Sequence, residues 1–260
     1  RETDRLEPDN AIKPALPAFR EQGKKLEMAG LVAGQIAHDF NNLLTPLIAY
    51  PQLIKREIQP GSVAQEYLDL MEHTANDMAA INQQLLLFAR RGLPPSLEEI
   101  DLRDLVGETL ENMKESRPPG IKIDLNLGMT QLDIKGSREQ LLRGLQHLFQ
   151  NAIDAMGAQG TLTVTASTVY LDQPAAVGSS AKPGEYARLG ISDTGTGIAE
   201  SIRDKIFDPF FTTKRGSAKR GAGLGLSIVF GIIRDHGGLL DLETMVGRGT
   251  TFYLYLPVNH

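Results

Sequence analysis

Tyr67, Leu70, Thr74, Met78, Ile81, Leu85 and Phe88 recur at steps of three and four, which draws one apolar stripe along a helix. Upstream, from about Lys24 to Gln59, a second helical pattern sets Leu31, Ile36 and Phe40 among the small residues Ala29, Ala33 and Ala37. Between them Gln59-Pro60-Gly61-Ser62 reads as a turn and Ser62-x-x-Gln65 as a capping box. Two helices joined by a tight turn form an antiparallel hairpin, which alone buries too little apolar surface. The stripe therefore predicts pairing with a second copy as a four-helix-bundle homodimer. Pro46 and Pro51 fall inside the first helix and should kink it, because each removes an N–H and crowds the preceding turn.

Gly92-Leu93-Pro94-Pro95-Ser96 reads as a linker, and beyond it the pattern changes. Ile121–Leu125, Thr161–Thr165, Ala187–Ile191 and Thr251–Leu256 look like strands. Ser137–Met156, capped by Ser137-x-x-Gln140, and Leu224–His236 look like helices. Strands with helices on one face predict an α+β fold, a two-layer α/β sandwich. The expected organisation is a polar leader over 1–20, a helical hairpin over 21–92 and a sandwich domain over 97–260. Tyr170–Gly184 reads as a surface hairpin loop without catalytic importance.

Bulk properties narrow the function. A net charge of −5 argues against nucleic acid as a partner, since displacing counterions needs clustered Lys and Arg. The chain has no cysteine, which excludes disulfides, thiolate catalysis and Cys-ligated metals. No apolar run approaches the ~18 residues of a membrane span, so no membrane contact is expected within this stretch. The charged N-terminus, RETDRLEPDN, is not a signal peptide and begins without Met. The chain thus reads as a cytoplasmic fragment of a longer protein, one that an upstream region could anchor to a membrane.

Four motifs in the second half carry chemistry together. Asn151 lies on the long helix within His147-Leu-Phe-Gln-Asn151. Asp193-Thr-Gly195-Thr-Gly197 ends a strand in a carboxylate followed by spaced glycines, which lets backbone approach a ligand while the carboxylate accepts a hydrogen bond. Phe207-Asp-Pro-Phe-Phe-Thr-Thr-Lys214 leads into a basic, glycine-containing segment suited to a lid whose cations meet phosphates. Gly221-Ala-Gly223-Leu224-Gly225-Leu226 opens a helix, whose free N–H groups and dipole favour an anion. Together they point to a nucleotide. No GxxxxGK[ST] occurs, so the site is not a P-loop.

From about Leu97 to Pro257 these motifs resemble the GHKL (Bergerat) ATP-binding domain of sensor histidine kinases, type II topoisomerases, Hsp90 and MutL. A final Gly247-Arg-Gly249-Thr250-Thr251-Phe252 resembles the family's last glycine motif. The resemblance implies ATP and Mg²⁺ as cofactors, with Asn151 as the metal ligand and Asp193 binding the adenine amino group. It also implies that Gly195, Gly197, Gly221, Gly223 and Gly225 shape the pocket with Leu224, Leu226, Thr251 and His147 beside them, and that Lys214 lies in or next to the lid.

The first half selects the branch. Gly34-Gln-Ile-Ala-His38-Asp39-Phe-Asn-Asn42-Leu-Leu-Thr-Pro46 resembles the phosphoacceptor box of the HDFNN class of sensor histidine kinases. The resemblance implies that His38 is phosphorylated from ATP and passes the group to an aspartate of a response-regulator receiver domain. Asp39 then orients the ring or takes its proton. Asn42, one helical turn after His38, can orient a water that dephosphorylates the partner. The physical logic agrees: a neutral imidazole is a good nucleophile if its other nitrogen is held in the right tautomer. One position departs from the family, since His147 stands where a second Asn is common. The competing reading is a degenerate ATP-binding scaffold, or a nucleotide-driven conformational protein, without kinase activity.

Overall fold

The computed structural model describes residues 19–59, 61–89, 97–128, 132–172, 182–214 and 223–258. Two compact units emerge, Lys25–Leu93 and another built on Pro94–His260. The expected leader before Phe19, the linker Gly92–Ser96 and most of the basic segment after Lys214 lie outside the described residues.

In the first unit α1 (Phe19–Ile54) and α2 (Val63–Ala89) run antiparallel. Helix α1 begins ahead of the expected Lys24 and continues through both Pro46 and Pro51. Its end tightens into i→i+3 turns, with Arg56 N–H donating to Leu53 C=O at 3.2 Å and Glu57 N–H to Ile54 C=O at 2.9 Å. The capping box forms one residue out of phase. Ser62 Oγ accepts from Gln65 N–H at 3.4 Å, while Gln65 Oε1 takes the N–H of Gly61, at 2.7 Å, rather than that of Ser62.

Polar contacts fix the pairing of the helices. Near the turn Lys55 Nζ sits 2.6 Å from Asp69 and also pairs with Glu72, to which Gln52 donates at 2.9 Å. At the far end Asn82 reaches Ala37. Buried in the hairpin are Leu26, Ala33, Ala37 and Leu44 of α1 and Leu68 and Ala75 of α2, an equal mix of leucine and the small alanine that permits close approach. The stripe read from sequence points the other way: Tyr67 is 65% exposed and Leu70 63%, beside Leu31 at 80% and Leu43 at 65% on α1. The hairpin thus buries a mixed alanine and leucine face and leaves a second, leucine-rich face open.

The second unit is a sheet in the order β2 (Gly120–Asn126), β4 (Gln159–Leu171), β5 (Gly184–Asp193), β7 (Gly249–Pro257), β6 (Leu239–Met245). Only β2 and β4 are parallel. Helices α4 (Arg138–Met156) and α6 (Gly225–Asp235) pack on the sheet and on each other, and α3 (Leu102–Asn112) packs on α4. Leu145, Leu148, Phe149 and Ile153 of α4 and Val229, Phe230 and Ile233 of α6 meet Leu162, Val164, Leu189, Ile191 and Leu254 in the core. This is the expected two-layer sandwich. A small sheet of β1 (Glu98–Asp101) and β3 (Asp133–Gly136) and a four-residue helix α5 (Glu200–Arg203) complete it. Tyr170–Gly184 joins β4 to β5, with Leu171 paired to Gly184, and residues 173–181 lie outside the described residues.

His236 ties the ends of two helices together. It closes α6, its Nδ1–H donating to Ile232 C=O at 2.7 Å, while its Nε2 accepts from the N–H of Ser137, the N-cap of α4, at 2.9 Å. That pair of bonds requires the neutral ring with its proton on Nδ1. Burial holds its pKa below the ordinary value. A depressed pKa means that stability is full above the unfolded value of about 6.5 and falls as the pH drops from there toward the folded value. Over that window each pH unit removes about 1.4 kcal/mol. Urea titrations of the second unit between pH 7.5 and 5 should show this loss, and a His236→Gln variant should lose less over the same range, the remainder coming from His147, whose pKa burial also lowers.

Candidate active site

Helix α4 organises the nucleotide site through three residues spaced by four. His147 and Asn151 face the start of α6, where a Cβ on Gly225 would lie 3.4 Å from His147 Nδ1 and 3.9 Å from Asn151 Nδ2. One turn on, Ala155 meets the loop after β5: Thr196 N–H donates to Ala155 C=O at 3.2 Å, and a Cβ on Gly195 would come within 2.7 Å of the Ala155 carbonyl carbon. Residues at i, i+4 and i+8 share a helix face, so a single face of α4 meets both glycine motifs.

Asp193 ends β5, 7% exposed, its Oδ1 accepting from Gly195 N–H at 2.8 Å. Burial raises its pKa above the ordinary carboxylate value, opposed by backbone hydrogen bonds from Gly195 and Thr250. Its loop is fitted against the β6–β7 turn. Gly197, at φ +69°, leaves no room for a Cβ beneath Met245 C=O, and Gly247 N–H donates to Thr196 C=O at 2.8 Å. Thr244 Oγ accepts from Ile198 N–H at 2.9 Å from the same side.

Helix α6 starts with no side-chain cap. Its first N–H groups therefore present partial positive charge beside Asn151 and His147, as an anion site requires. Burial, with the nearby Arg143, lowers the His147 pKa, so this imidazole stays uncharged there. Leu224 and Leu226 flank Gly225; Leu224 is 2% exposed and its carbonyl accepts from Ile228 N–H at 2.9 Å and Ser227 Oγ at 2.8 Å. Gly223, at φ +70°, abuts the backbone of Phe210 and Phe211. The aromatic segment is anchored by Phe207, whose ring packs 5.8 Å from that of Phe230 on α6. Phe210 carries a rare positive φ of 67° and is 52% exposed. Gly221 lies outside the described residues.

In the helical unit His38 projects into solvent with Asp39 beside it, Nδ1 to Oδ1 at 3.3 Å. The bond is long, and its direction is set by the acceptor: Nδ1–H donates to the carboxylate, so Nε2 is the ring nitrogen that Asp39 does not engage. Asn42 is exposed one turn later.

Residues 28–94 match the His Kinase A (phospho-acceptor) domain, and residues 136–260 match the histidine kinase-, DNA gyrase B-, and HSP90-like ATPase. The chain is a histidine kinase catalytic core. It is 34% identical over 253 residues to the sensor kinase CckA of Brucella abortus (strain 2308), an alignment covering 94% of this chain and 26% of that protein. Thus it spans about a quarter of that relative's length. The fold resembles full-length ShkA in complex with AMPPNP (TM-score 0.67, 23% identity, 87% of this chain and 45% of that one). It also resembles histidine kinase ThkA in complex with response regulator protein TrrA (TM-score 0.60, 23% identity, 93% and 65%).

Two further residues of this kinase core singled out by the sequence have defined partners. Thr251 pairs with Ser192, Oγ to Oγ at 2.9 Å, one register step from the Asp193–Thr250 pair. Alternation puts its side chain on the sheet face away from Asp193, and it is the N–H of the neighbouring Thr250 that holds the carboxylate. Only the strand register separates two adjacent threonines, and sequence does not print register. Lys214 Nζ lies 2.6 Å from Asp154, which also accepts from Gln150 at 2.8 Å. The lysine expected to meet phosphate is thereby tied to α4, three residues beyond Asn151.

Proposed function

We propose that this core phosphorylates His38 from ATP and hands the phosphoryl group to an aspartate of a response-regulator receiver domain. The observation that carries it is the presence, in one chain, of an exposed His38 beside Asp39 in one unit and of a glycine-built helix start facing His147 and Asn151 in the other. ATP as donor is supported by the match to the ATPase domain and by the AMPPNP complex of ShkA. A receiver domain as acceptor is supported by the ThkA–TrrA complex. Dimerisation is supported by the phospho-acceptor match and by the open leucine face of the hairpin. No helix among the described residues is long and apolar enough to cross a membrane, and we place the core in the cytoplasm, where ATP is available.

In this reading Asp193 accepts a hydrogen bond from the adenine amino group, and α6 holds the phosphates with its N–H groups. Asn151 would hold Mg²⁺ through its amide oxygen, the metal's other ligands being phosphates and water, as suits a cation that keeps most of its hydration. Bound there, the metal supplies charge neutralisation for the transferring group. His147, uncharged, can hydrogen-bond in the place of the family's usual Asn. The Nε2 lone pair of His38 forms a bond to the γ-phosphorus as the bond to the β-phosphate oxygen breaks. ADP leaves, and the Nδ1 proton passes to Asp39 or to water. Reach between hairpin and nucleotide comes from tethering, which raises the effective concentration. Asn42 then orients a water against the phospho-aspartate of the partner.

Incubation with γ-labelled ATP and Mg²⁺ tests this. The expected product is phosphate that is labile in acid and stable in base. Label that resists acid would move the acceptor from His38 to a hydroxyl side chain, and nucleotide binding without any label would replace the kinase by a nucleotide-binding scaffold.

A further inference from the structure

Asn82 stands out in the helical unit as a buried amide in an interface of alanine and leucine, 3% exposed. Its Nδ2 donates to two oxygens of α1: Ala37 C=O at 2.8 Å and Asn41 Oδ1 at 2.7 Å. Its own Oδ1 is buried and finds no hydrogen-bond partner among the described residues. A carbonyl accepts two hydrogen bonds, so Ala37 keeps its helical partner while Asn82 takes the second lone pair. The unmatched Oδ1 carries its full desolvation cost, which makes Asn a poor choice for packing alone. Leu has similar volume and would leave nothing unsatisfied that the helix does not already satisfy.

The two oxygens grasped are informative. Ala37 immediately precedes His38, and Asn41 immediately precedes Asn42. Both anchored groups lie on the turn of α1 that carries the phosphoacceptor. We infer that Asn82 is a positioning residue: it fixes the rotation of that turn and occupies the amide of Asn41. Of the two adjacent asparagines, Asn41 is held against α2 and Asn42 projects from the next position along the helix, which sorts one amide for structure and the other for chemistry beside His38. This rests on the reading of His38 as the phosphoacceptor.

Asn82→Leu in the full chain tests it by separating stability from rate. The expected outcome is a denaturation midpoint equal to or above that of the parent, an unchanged KM for ATP, and a kcat for His38 labelling lower by about tenfold. Asn41→Ala should add little to Asn82→Leu, because the two act through one bond. Labelling at the parent rate overturns the inference. So does a loss of activity that follows a loss of folded protein, which is what a packing role alone predicts. A parent chain that takes no label would sink the kinase reading instead. The positioning claim is then decided by hydrogen exchange, where the amides of residues 38–42 should exchange about tenfold faster in Asn82→Leu. Equal exchange overturns it.

Discussion

His38→Gln is expected to bind ATP as the parent does and to take up no phosphate. Gln preserves length, polarity and helix propensity at an exposed position, so neither the hairpin nor the separate nucleotide unit has reason to change. What it lacks is a nitrogen lone pair that can attack phosphorus. Labelling should fall at least about 1,000-fold, because the charge stabilisation around the nucleotide remains but has no acceptor to serve. Equilibrium binding of a fluorescent ATP analogue, run alongside, should be unchanged. Residual acid-labile label above a few per cent would move the acceptor to another histidine. Asp39→Asn gives the graded counterpart: Nδ1–H keeps an acceptor but loses a charge, and a drop of roughly 100-fold fits the usual range for one general acid–base partner.

Asp193→Asn should cost nucleotide affinity rather than chemistry. The carboxylate is buried, held by the Gly195 and Thr250 N–H groups, and offers its remaining capacity to the ligand. The amide can turn only one oxygen toward those donors and puts an NH₂ where an acceptor was. Losing a hydrogen bond to a charged, desolvated group costs about 1.5–3 kcal/mol, or roughly 10- to 150-fold in Kd. Isothermal titration should report that loss while His38 labelling at saturating ATP survives. The parent adds a pH signature. Because burial raises the Asp193 pKa, the acceptor form is lost as pH falls at values above the ordinary carboxylate pKa of about 3.9. Affinity should therefore begin to weaken on the acid side before exposed carboxylates titrate, and the Asn variant should be flat over that range.

Much of the sandwich was legible because its central strands alternate and its two main helices were bounded by signals that the fold honours, the Ser137 cap of α4 and the span of α6. The edges were not. Strands β1 and β3 are four residues each, Glu98–Asp101 and Asp133–Gly136, with charges at most positions and one buried isoleucine apiece. Nothing in so short and polar a run signals pairing. The glycines of the site could be read as a set by their spacing, and close approach demands three of them, Gly195 against Ala155, Gly197 against Met245 and Gly223 against Phe210. The contributions of Thr250 and Asn82 could not, since one depends on strand register and the other on which turns of two helices meet. The stripe on α2 was visible, but its direction was not: Leu68 and Ala75, off the stripe, meet the buried face of α1, and the stripe itself faces outward.

That open leucine face makes the hairpin's stability a function of dilution. A second chain that covers Leu31, Leu43, Tyr67 and Leu70 binds the folded helices and not the unfolded ones, so mass action adds to the folding free energy as protein concentration rises. The sandwich unit has its own closed core and owes nothing to concentration. Thermal scans over a hundredfold range of protein should therefore move one transition and leave the other in place. A scarce copy of this chain in the cell would lose the platform for His38 before it lost its grip on ATP.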